Sequence, residues 1–243
     1  MKNVMIYLHP LYSFQKPHDL EAKIQIDNSL RLGWSPEDIL LFTNFPFRYN
    51  GITARQIDDA NFCAFRPRST NTVSIPHLID SGAIQPGEVY WVHDLDAYQI
   101  HPIGDEDLGL EAVDLGLTTY GWSPKWCLGS YFLKRSAEDI FILLKKAVYE
   151  FEEEDERALR RLTDGGYVAK NRYKVLDISY NFGMRNIAHN WDAANKPLKV
   201  LHFHPGMAQG INALAVFLHG KNELNRPLVT PGLRLVFRDH GVT

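Results

Sequence analysis

The apolar residues of this chain are concentrated in short continuous runs that polar loops separate. The first run, Asn3–Leu8, is followed by a loop and then by Asp19–Leu32, in which apolar residues recur at helical spacing. A second run, Asp38–Asn44, comes next. A strand, a helix and a strand within the first 44 residues predict a βαβ unit, with parallel strands and a right-handed crossover.

The same alternation of strands and helices continues along the rest of the chain. Val89–Val92 is the most hydrophobic stretch and is predicted to be the central strand. We predict further strands at 117–120, 129–133, 198–203 and 233–237, and helices at 72–83, from Ser136 to Phe151, and from the acidic run 152–156 through 162. The fold class is therefore α/β, with a mostly parallel, Rossmann-like central sheet flanked by helices. Without an internal repeat or linker, residues 1–243 are predicted to form a single domain, with 207–243 as a C-terminal lid or extension.

Composition excludes several classes of protein. The chain is 45% hydrophobic and 23% charged with a net charge of −3, which is ordinary for a globular domain and gives no overall preference for nucleic acid. Its two cysteines, Cys63 and Cys127, lack any CxxC spacing, as is typical of a protein from a reducing compartment. The longest apolar run, Ala213–Leu218, is too short to span a membrane. We expect a cytoplasmic protein without a membrane partner, in the host cytoplasm if it is viral.

Two carboxylates, Asp94 and Asp96, directly follow the predicted central strand. Ligands of open α/β sheets bind beyond the carboxyl ends of the strands, and residues separated by one intervening residue on extended backbone point the same way. Neighbouring carboxylates repel unless a cation lies between them, and Mn²⁺ or Mg²⁺ fits an oxygen-rich site that also receives phosphates. Two acids that cap turns at a strand end are an equally good interpretation of this spacing alone.

Two histidines, His202 and His204, end a late apolar strand just before Pro205-Gly206. Their alternate spacing places both imidazoles on one face of that strand. A neutral imidazole is a suitable third ligand beside two carboxylates. These residues therefore join Asp94 and Asp96 as candidate metal ligands.

These motifs together resemble the GT-A glycosyltransferases. His93–Ala97, HDLDA, resembles the metal-binding signature of that superfamily, and the late histidine, His202 with His204 as the reserve, is similar to its last metal ligand. Leu128–Phe132 resembles its glycine-containing loop, which borders donor sugar and acceptor. The chain departs from glycogenin-like relatives at His204-Pro205-Gly206, where those proteins have Gly-x-x-Lys-Pro-Trp.

The resemblance implies a metal-dependent transfer from a nucleotide-sugar, in particular a UDP-sugar, to a hydroxyl acceptor. It implies that the loop after the first strand, with His9 and Tyr12, binds the nucleoside, and that Arg68 contacts the diphosphate. Asp94 and Gly129 would also border the donor. An inverting enzyme needs a carboxylate base, for which the resemblance implies Asp155, with Asp177 as the reserve. Whether the enzyme inverts or retains, which sugar it transfers and its oligomeric state stay open.

A narrower resemblance concerns the acceptor. A short GT-A chain with HDLDAYQ is similar to the phage and kinetoplastid glycosyltransferases that modify hydroxymethylated pyrimidines in DNA. It implies that basic residues meet phosphates and that Trp122 and Trp126 meet an unstacked base. The candidate basic residues are Arg66, Arg68, Lys125, Arg135 and Arg185. Ordinary solvated arginines and a packed tryptophan loop are the alternative for these residues. The favoured acceptor is a 5-hydroxymethylpyrimidine in DNA, and a glycan, lipid or protein acceptor is the alternative.

Two other classes of protein also fit parts of the sequence. An Asp-x-Asp after an apolar strand is similar to the motif of the aspartyl-nucleophile phosphatases, although Ala97-Tyr98 stands where that family has Gly-Thr. A non-catalytic module that binds sugar-nucleotides would carry the same fold with a missing metal ligand, and no such ligand is obviously missing from this sequence.

Overall fold

The N-terminal segment confirms the predicted βαβ unit. The computed structural model describes residues 1–120, 125–183, 187–203 and 230–242. Strand β1 (Lys2–Tyr7) and strand β2 (Ile39–Thr43) pair in parallel and are joined by helix α1 (His18–Arg31). Met5 packs toward α1, whereas Val4 and Ile6 lie in the main core on the other face of the sheet. Because both faces are covered, β1 is a continuous apolar run rather than an alternating one.

The central sheet has seven strands and is mostly parallel, as predicted. The strands after β2 are β3 (Arg48–Tyr49), β4 (Ile52–Thr53), β5 (Arg55–Gln56), β6 (Val89–His93), β7 (Ala97–Gln99), β8 (Leu115–Thr119), β9 (Trp126–Lys134), β10 (Tyr173–Val175), β11 (Phe182–Gly183) and β12 (Val200–His202). The sheet order is β10-β8-β9-β6-β1-β2-β5. Only β9 breaks the parallel arrangement, because it runs antiparallel to both β6 and β8.

Helices cover both faces of this sheet. After α1 come α2 (Thr70–Val73), α3 (Ile75–Asp80), α4 (Asp105–Leu108), α5 (Glu138–Phe151), α6 (Asp155–Asp164), α7 (Ile187–Ala193) and α8 (Pro231–Asp239). Helices α2, α3, α5 and α6 contribute to one core cluster with the sheet, and α8 packs beside α1 on the other side. No helix among the described residues is both long and apolar enough to cross a bilayer.

A small second sheet joins the middle of the chain to its late part. Its order is β11-β12-β7, and β12 runs antiparallel to β7 with His202 opposite Ala97. Since β7 begins directly after Asp96, this pairing places the late histidine beside the two carboxylates that follow β6. The sheet therefore positions the predicted metal site.

The structure corrects four details of the sequence interpretation. The predicted strand 233–237 is helix α8, because Pro231 occupies its first turn and the Thr230 hydroxyl accepts the Leu233 N–H at 3.3 Å. The predicted helix 72–83 is two short helices that meet at Ser74. Helix α5 begins at Glu138 rather than after Ser136, whose hydroxyl binds Asp114. The late strand spans only Val200–His202, and the predicted lid, 207–243, lies outside the described residues up to residue 229.

Candidate active site

One cleft of about 930 Å³ opens at the carboxyl ends of β1 and β6. The structure brings most of the predicted site residues to this cleft, which is where an open α/β sheet binds its ligands. Its lining includes His9, Arg68, Asp94, Asp96, Gly129, Asp155 and His202. The reserve ligand His204 and the predicted base-stacking Trp122 lie outside the described residues.

Asp94, Asp96 and His202 form a compact group that can hold a metal ion. One ligand atom from each residue lies within 4.8 Å of the other two. His202 Nε2 is 3.4 Å from Asp96 Oδ1 and 3.8 Å from Asp94 Oδ2. Ligands of an octahedral Mg²⁺-sized ion are about 3–4 Å apart, given metal–oxygen distances of about 2.1 Å. The spacing and the two-carboxylate, one-imidazole donor set therefore fit a hard or borderline divalent cation.

The backbone between the two carboxylates is held by helix α1. Gln25 Nε2 donates to Leu95 O at 3.0 Å and to Ala97 O at 2.8 Å, and Asn28 Nδ2 donates to Gln99 O at 2.8 Å. Both amides are almost fully buried. These contacts explain why the inner face of α1 is partly polar, a feature that the residue pattern alone does not predict.

Two hydrogen bonds orient Asp94. Its backbone N–H donates to Gly129 O at 2.9 Å, and Asn71 Nδ2 donates to its Oδ1 at 2.7 Å. This leaves Oδ2 toward His202. Burial in the cleft, together with repulsion from Asp96, raises the pKa of Asp94 to about 7. A bound cation stabilises the ionised form of such a carboxylate, because it offsets both the burial of the charge and the repulsion from Asp96.

The negative charge of Asp96 also changes the pKa of His202. Burial lowers the pKa of this imidazole, but Asp96 and Cys127 together raise it well above its usual value. The two carboxylates therefore favour a positive charge between the three groups. Either a proton on His202 or a divalent cation can supply that charge. Metal and proton compete for this position.

Gly129 provides the space that the His202 ring occupies. A β-carbon at residue 129 would lie 1.9 Å from Cε1 of His202 and 2.5 Å from both ring nitrogens. No side chain fits there unless the imidazole moves. Gly129 therefore shapes the candidate metal site, in addition to its predicted place beside the donor.

Two adjacent carboxylates at the start of α6 line the cleft. Asp155 is buried, and its oxygens accept hydrogen bonds from the Thr72 hydroxyl at 2.5 Å and from the Glu156 N–H at 3.0 Å. Glu156 is held by the Tyr120 hydroxyl at 2.8 and 2.9 Å and by the Leu128 N–H at 3.1 Å. Burial raises the pKa of Asp155, and burial with repulsion from Asp155 raises the pKa of Glu156 to about 7. In the sequence, Glu156 stands out only as part of an acidic run. Its position next to the predicted base Asp155 is the feature that could have identified it as a site residue.

The structure does not bring Tyr12 or Asp177 into the cleft lining. Tyr12 is exposed and donates its hydroxyl to Asp59. Asp177 accepts the backbone N–H groups of Ser179 at 2.8 Å and Asn195 at 3.0 Å, and so caps the short 3-10 helix Ile178–Asn181. Asp177 thus caps a helix outside the cleft lining, and its part as reserve base stays a prediction.

The residues proposed for DNA contact are dispersed. Trp126 is buried and donates its indole N–H to Thr163 at 3.1 Å, so its ring is not available for stacking on a base. Arg135 follows the far end of β9, where Lys134 pairs with Val89 at the amino end of β6, opposite the cleft. Arg66 and Lys125 are exposed, and Arg68 lines the cleft, whereas Arg185 lies outside the described residues.

Several solved structures are similar to this chain. The galactosyltransferase LgtC, solved in complex with donor and acceptor sugar analogs, is 14% identical with a TM-score of 0.61, over 99% of this chain and 95% of LgtC. The glycosyltransferase GlyE of Streptococcus pneumoniae TIGR4 is 12% identical with a TM-score of 0.58, over 99% of this chain and 64% of GlyE. A glycosyltransferase involved in glycosylation of the major capsid of PBCV-1 is 13% identical with a TM-score of 0.51, over 84% of this chain and 94% of that protein.

These similarities establish the fold. No protein-family model and no curated protein sequence matches the chain. At 12–14% identity, the likeness shows a shared GT-A architecture and leaves the activity to be argued from the site.

Proposed function

We propose that this chain is a metal-dependent glycosyltransferase, which moves a sugar from a nucleotide-sugar, in the first instance a UDP-sugar, to a hydroxyl acceptor. One observation carries this proposal. Asp94 and Asp96 come from the middle of the sequence and His202 from its late part. The three meet in the cleft of a GT-A fold, with spacing that suits one divalent ion.

The candidate metal ligands suit the departure of a nucleotide. Mn²⁺ or Mg²⁺ held by these three residues would neutralise the charge that develops on the leaving diphosphate. Arg68 lines the same cleft and supplies a guanidinium that suits phosphate oxygens. His9, also in the lining, is the candidate for contact with the nucleoside.

The carboxylates of α6 are the candidates for the sugar end of the reaction. Asp155 remains the proposed base of an inverting reaction, and Glu156 joins it as a second candidate. Each Asp155 oxygen accepts one hydrogen bond, whereas Glu156 accepts two at Oε1 and one at Oε2. Both carboxylates line the cleft, so either one can stabilise positive charge on the transferred sugar or accept a proton.

The acceptor is proposed only as a hydroxyl group. A hydroxymethylated pyrimidine in DNA belongs in the acceptor panel, but the buried Trp126 and the distant Arg135 remove part of its support. Glycans and glycosylated lipids or proteins belong in the same panel.

The test is release of UDP from a panel of UDP-sugars, with and without acceptor, in Mn²⁺ and in excess chelator. We expect Mn²⁺-dependent release with at least one donor, increased by the right acceptor. Donor-stabilised protein that never releases UDP would indicate a binding module instead. A trapped aspartyl-phosphate on Asp94 or Asp96 would indicate phosphatase chemistry and would overturn the proposal.

A further inference from the structure

Asn181 lies directly behind the candidate metal ligand His202. Its Oδ1 is 2.9 Å from His202 Nδ1, and both residues are 2% exposed. Asn181 ends the 3-10 helix that Asp177 caps, and the strand that follows pairs with β12, where Gly183 lies opposite His202. The backbone thus fixes the two side chains against each other.

The orientation of the Asn181 amide is determined by its other contacts. Nδ2 is 2.8 Å from Thr118 Oγ1 and 3.1 Å from Cys127 O. The Thr118 hydroxyl lies 3.3 Å from the same Cys127 carbonyl and can donate to it, which leaves a lone pair to accept from Asn181. If the amide were flipped, its oxygen would face a carbonyl oxygen, which cannot donate. The amide oxygen therefore faces His202.

An amide oxygen only accepts hydrogen bonds, so the nitrogen that faces it must carry a proton. From this geometry we infer that Asn181 is a positioning residue, which holds the His202 proton on Nδ1 and thereby leaves the Nε2 lone pair directed at a cation between Asp94 and Asp96. Metal-binding histidines commonly depend on such a partner for their second nitrogen. The inference rests on the metal site of the proposed function, but it does not depend on sugar transfer.

Cys127 is the competing neighbour of the same nitrogen. Its Sγ lies 3.6 Å from His202 Nδ1, which is a longer and weaker contact than the one to Asn181. Replacing Asn181 and Cys127 separately shows which of them positions the His202 ring.

The experiment compares Asn181→Leu, Asn181→Asp and Cys127→Ala by Mn²⁺ titration calorimetry. Leucine and aspartate both remove the amide donors to Thr118 and Cys127, but only aspartate retains an acceptor for Nδ1–H. We expect Mn²⁺ affinity to fall about 10- to 100-fold in Asn181→Leu and to stay at or above the wild-type value in Asn181→Asp, with a smaller loss in Cys127→Ala. Equal losses in both Asn181 variants, or a loss in Cys127→Ala as large as in Asn181→Leu, would overturn the inference.

A second measurement needs no variant. In ¹⁵N-labelled wild-type protein saturated with diamagnetic Mg²⁺, the long-range ¹H–¹⁵N spectrum of His202 should show the proton on Nδ1. A proton on Nε2 would contradict the inference even if the variants failed to fold. Both readouts report metal and proton positions, so an absence of transferase activity would leave them interpretable.

Discussion

Gly129 and His202 approach so closely that a β-carbon on the glycine would lie 1.9 Å from Cε1 of the imidazole. Gly129 has an ordinary backbone conformation, because it is not among the glycines with a positive φ. The requirement for glycine here is therefore one of space beside the ring rather than of backbone freedom.

Replacing Gly129 with alanine should displace His202 and weaken Mn²⁺ binding at least about tenfold, since the loss of one well-placed contact to a metal ligand typically costs that much. Titration calorimetry measures the effect. Gly232→Ala is the matched control, because a β-carbon there approaches the flexible Arg31 side chain at 3.2 Å and the Thr230 hydroxyl at 3.9 Å, and it should leave Mn²⁺ affinity unchanged. Normal Mn²⁺ binding by folded Gly129→Ala protein would mean that His202 is not a ligand.

Mn²⁺ should raise the thermal stability of the wild-type protein and fail to do so in Asp96→Asn. A ligand at about 100 times its dissociation constant stabilises the folded state by about 2.7 kcal/mol, which thermal denaturation resolves easily. Asp164→Asn is the control, since among the described residues Asp164 forms only an exposed ion pair with Arg160, and this variant should keep the full Mn²⁺ effect. A stabilisation that survives in Asp96→Asn would place the bound metal elsewhere.

Glu156 should impose a pH dependence on turnover. Its pKa is raised to about 7 by burial and by Asp155, so the ionised form is lost as pH falls below 7. If ionised Glu156 acts in the reaction, kcat/KM at saturating Mn²⁺ should fall about tenfold per pH unit below pH 7, and Glu156→Gln should be slow with little pH dependence there. Saturating Mn²⁺ keeps Asp94 ionised. An acid limb unchanged in Glu156→Gln would assign the titration to another group.

Much of this fold follows from sequence pattern, because a strand buried on both faces must be a continuous apolar run, as β1 and β6 are. The metal ligands were predictable for a related reason: Asp94, Asp96 and His202 follow or end such strands. Asn181 and Gln25 were not predictable, since a buried amide is recognised only by the atoms it meets. Helix α8 was missed although its Thr-Pro start was visible, because its short apolar run also fits a strand.

The pair of His18 and Glu21 at the start of α1 should make stability pH-dependent. His18 Nδ1 lies 2.7 Å from Glu21 Oε2, and this contact raises the pKa of His18 above 6.5. The stabilisation is fully present below the unfolded pKa of about 6.5 and is lost as pH rises through the folded value.

Urea unfolding of His18→Gln should therefore show a larger loss at pH 6 than at pH 9. We expect a difference of up to about 1 kcal/mol, because the histidine is partly exposed and solvent screens the pair. A loss for His18→Gln that does not change with pH would mean that the contact to Glu21 does not involve charge.

Gln25 on α1 binds the backbone on either side of Asp96. Its replacement should therefore lower both the stability of the protein and its affinity for Mn²⁺. Methionine has nearly the same shape as glutamine but no donor, so Gln25→Met leaves the carbonyls of Leu95 and Ala97 without the amide that now binds both. Leaving buried polar groups unpaired costs about 1–3 kcal/mol, which urea unfolding measures. Because these carbonyls flank Asp96, the carboxylate loses its fixed position and Mn²⁺ affinity should fall as well.

Gln56→Met, at an exposed position in β5, should change neither the stability nor the Mn²⁺ affinity. A stability loss in Gln25→Met with unchanged Mn²⁺ affinity would show that Asp96 is held by its other neighbours, such as the Phe203 N–H that donates to Asp96 O at 3.1 Å.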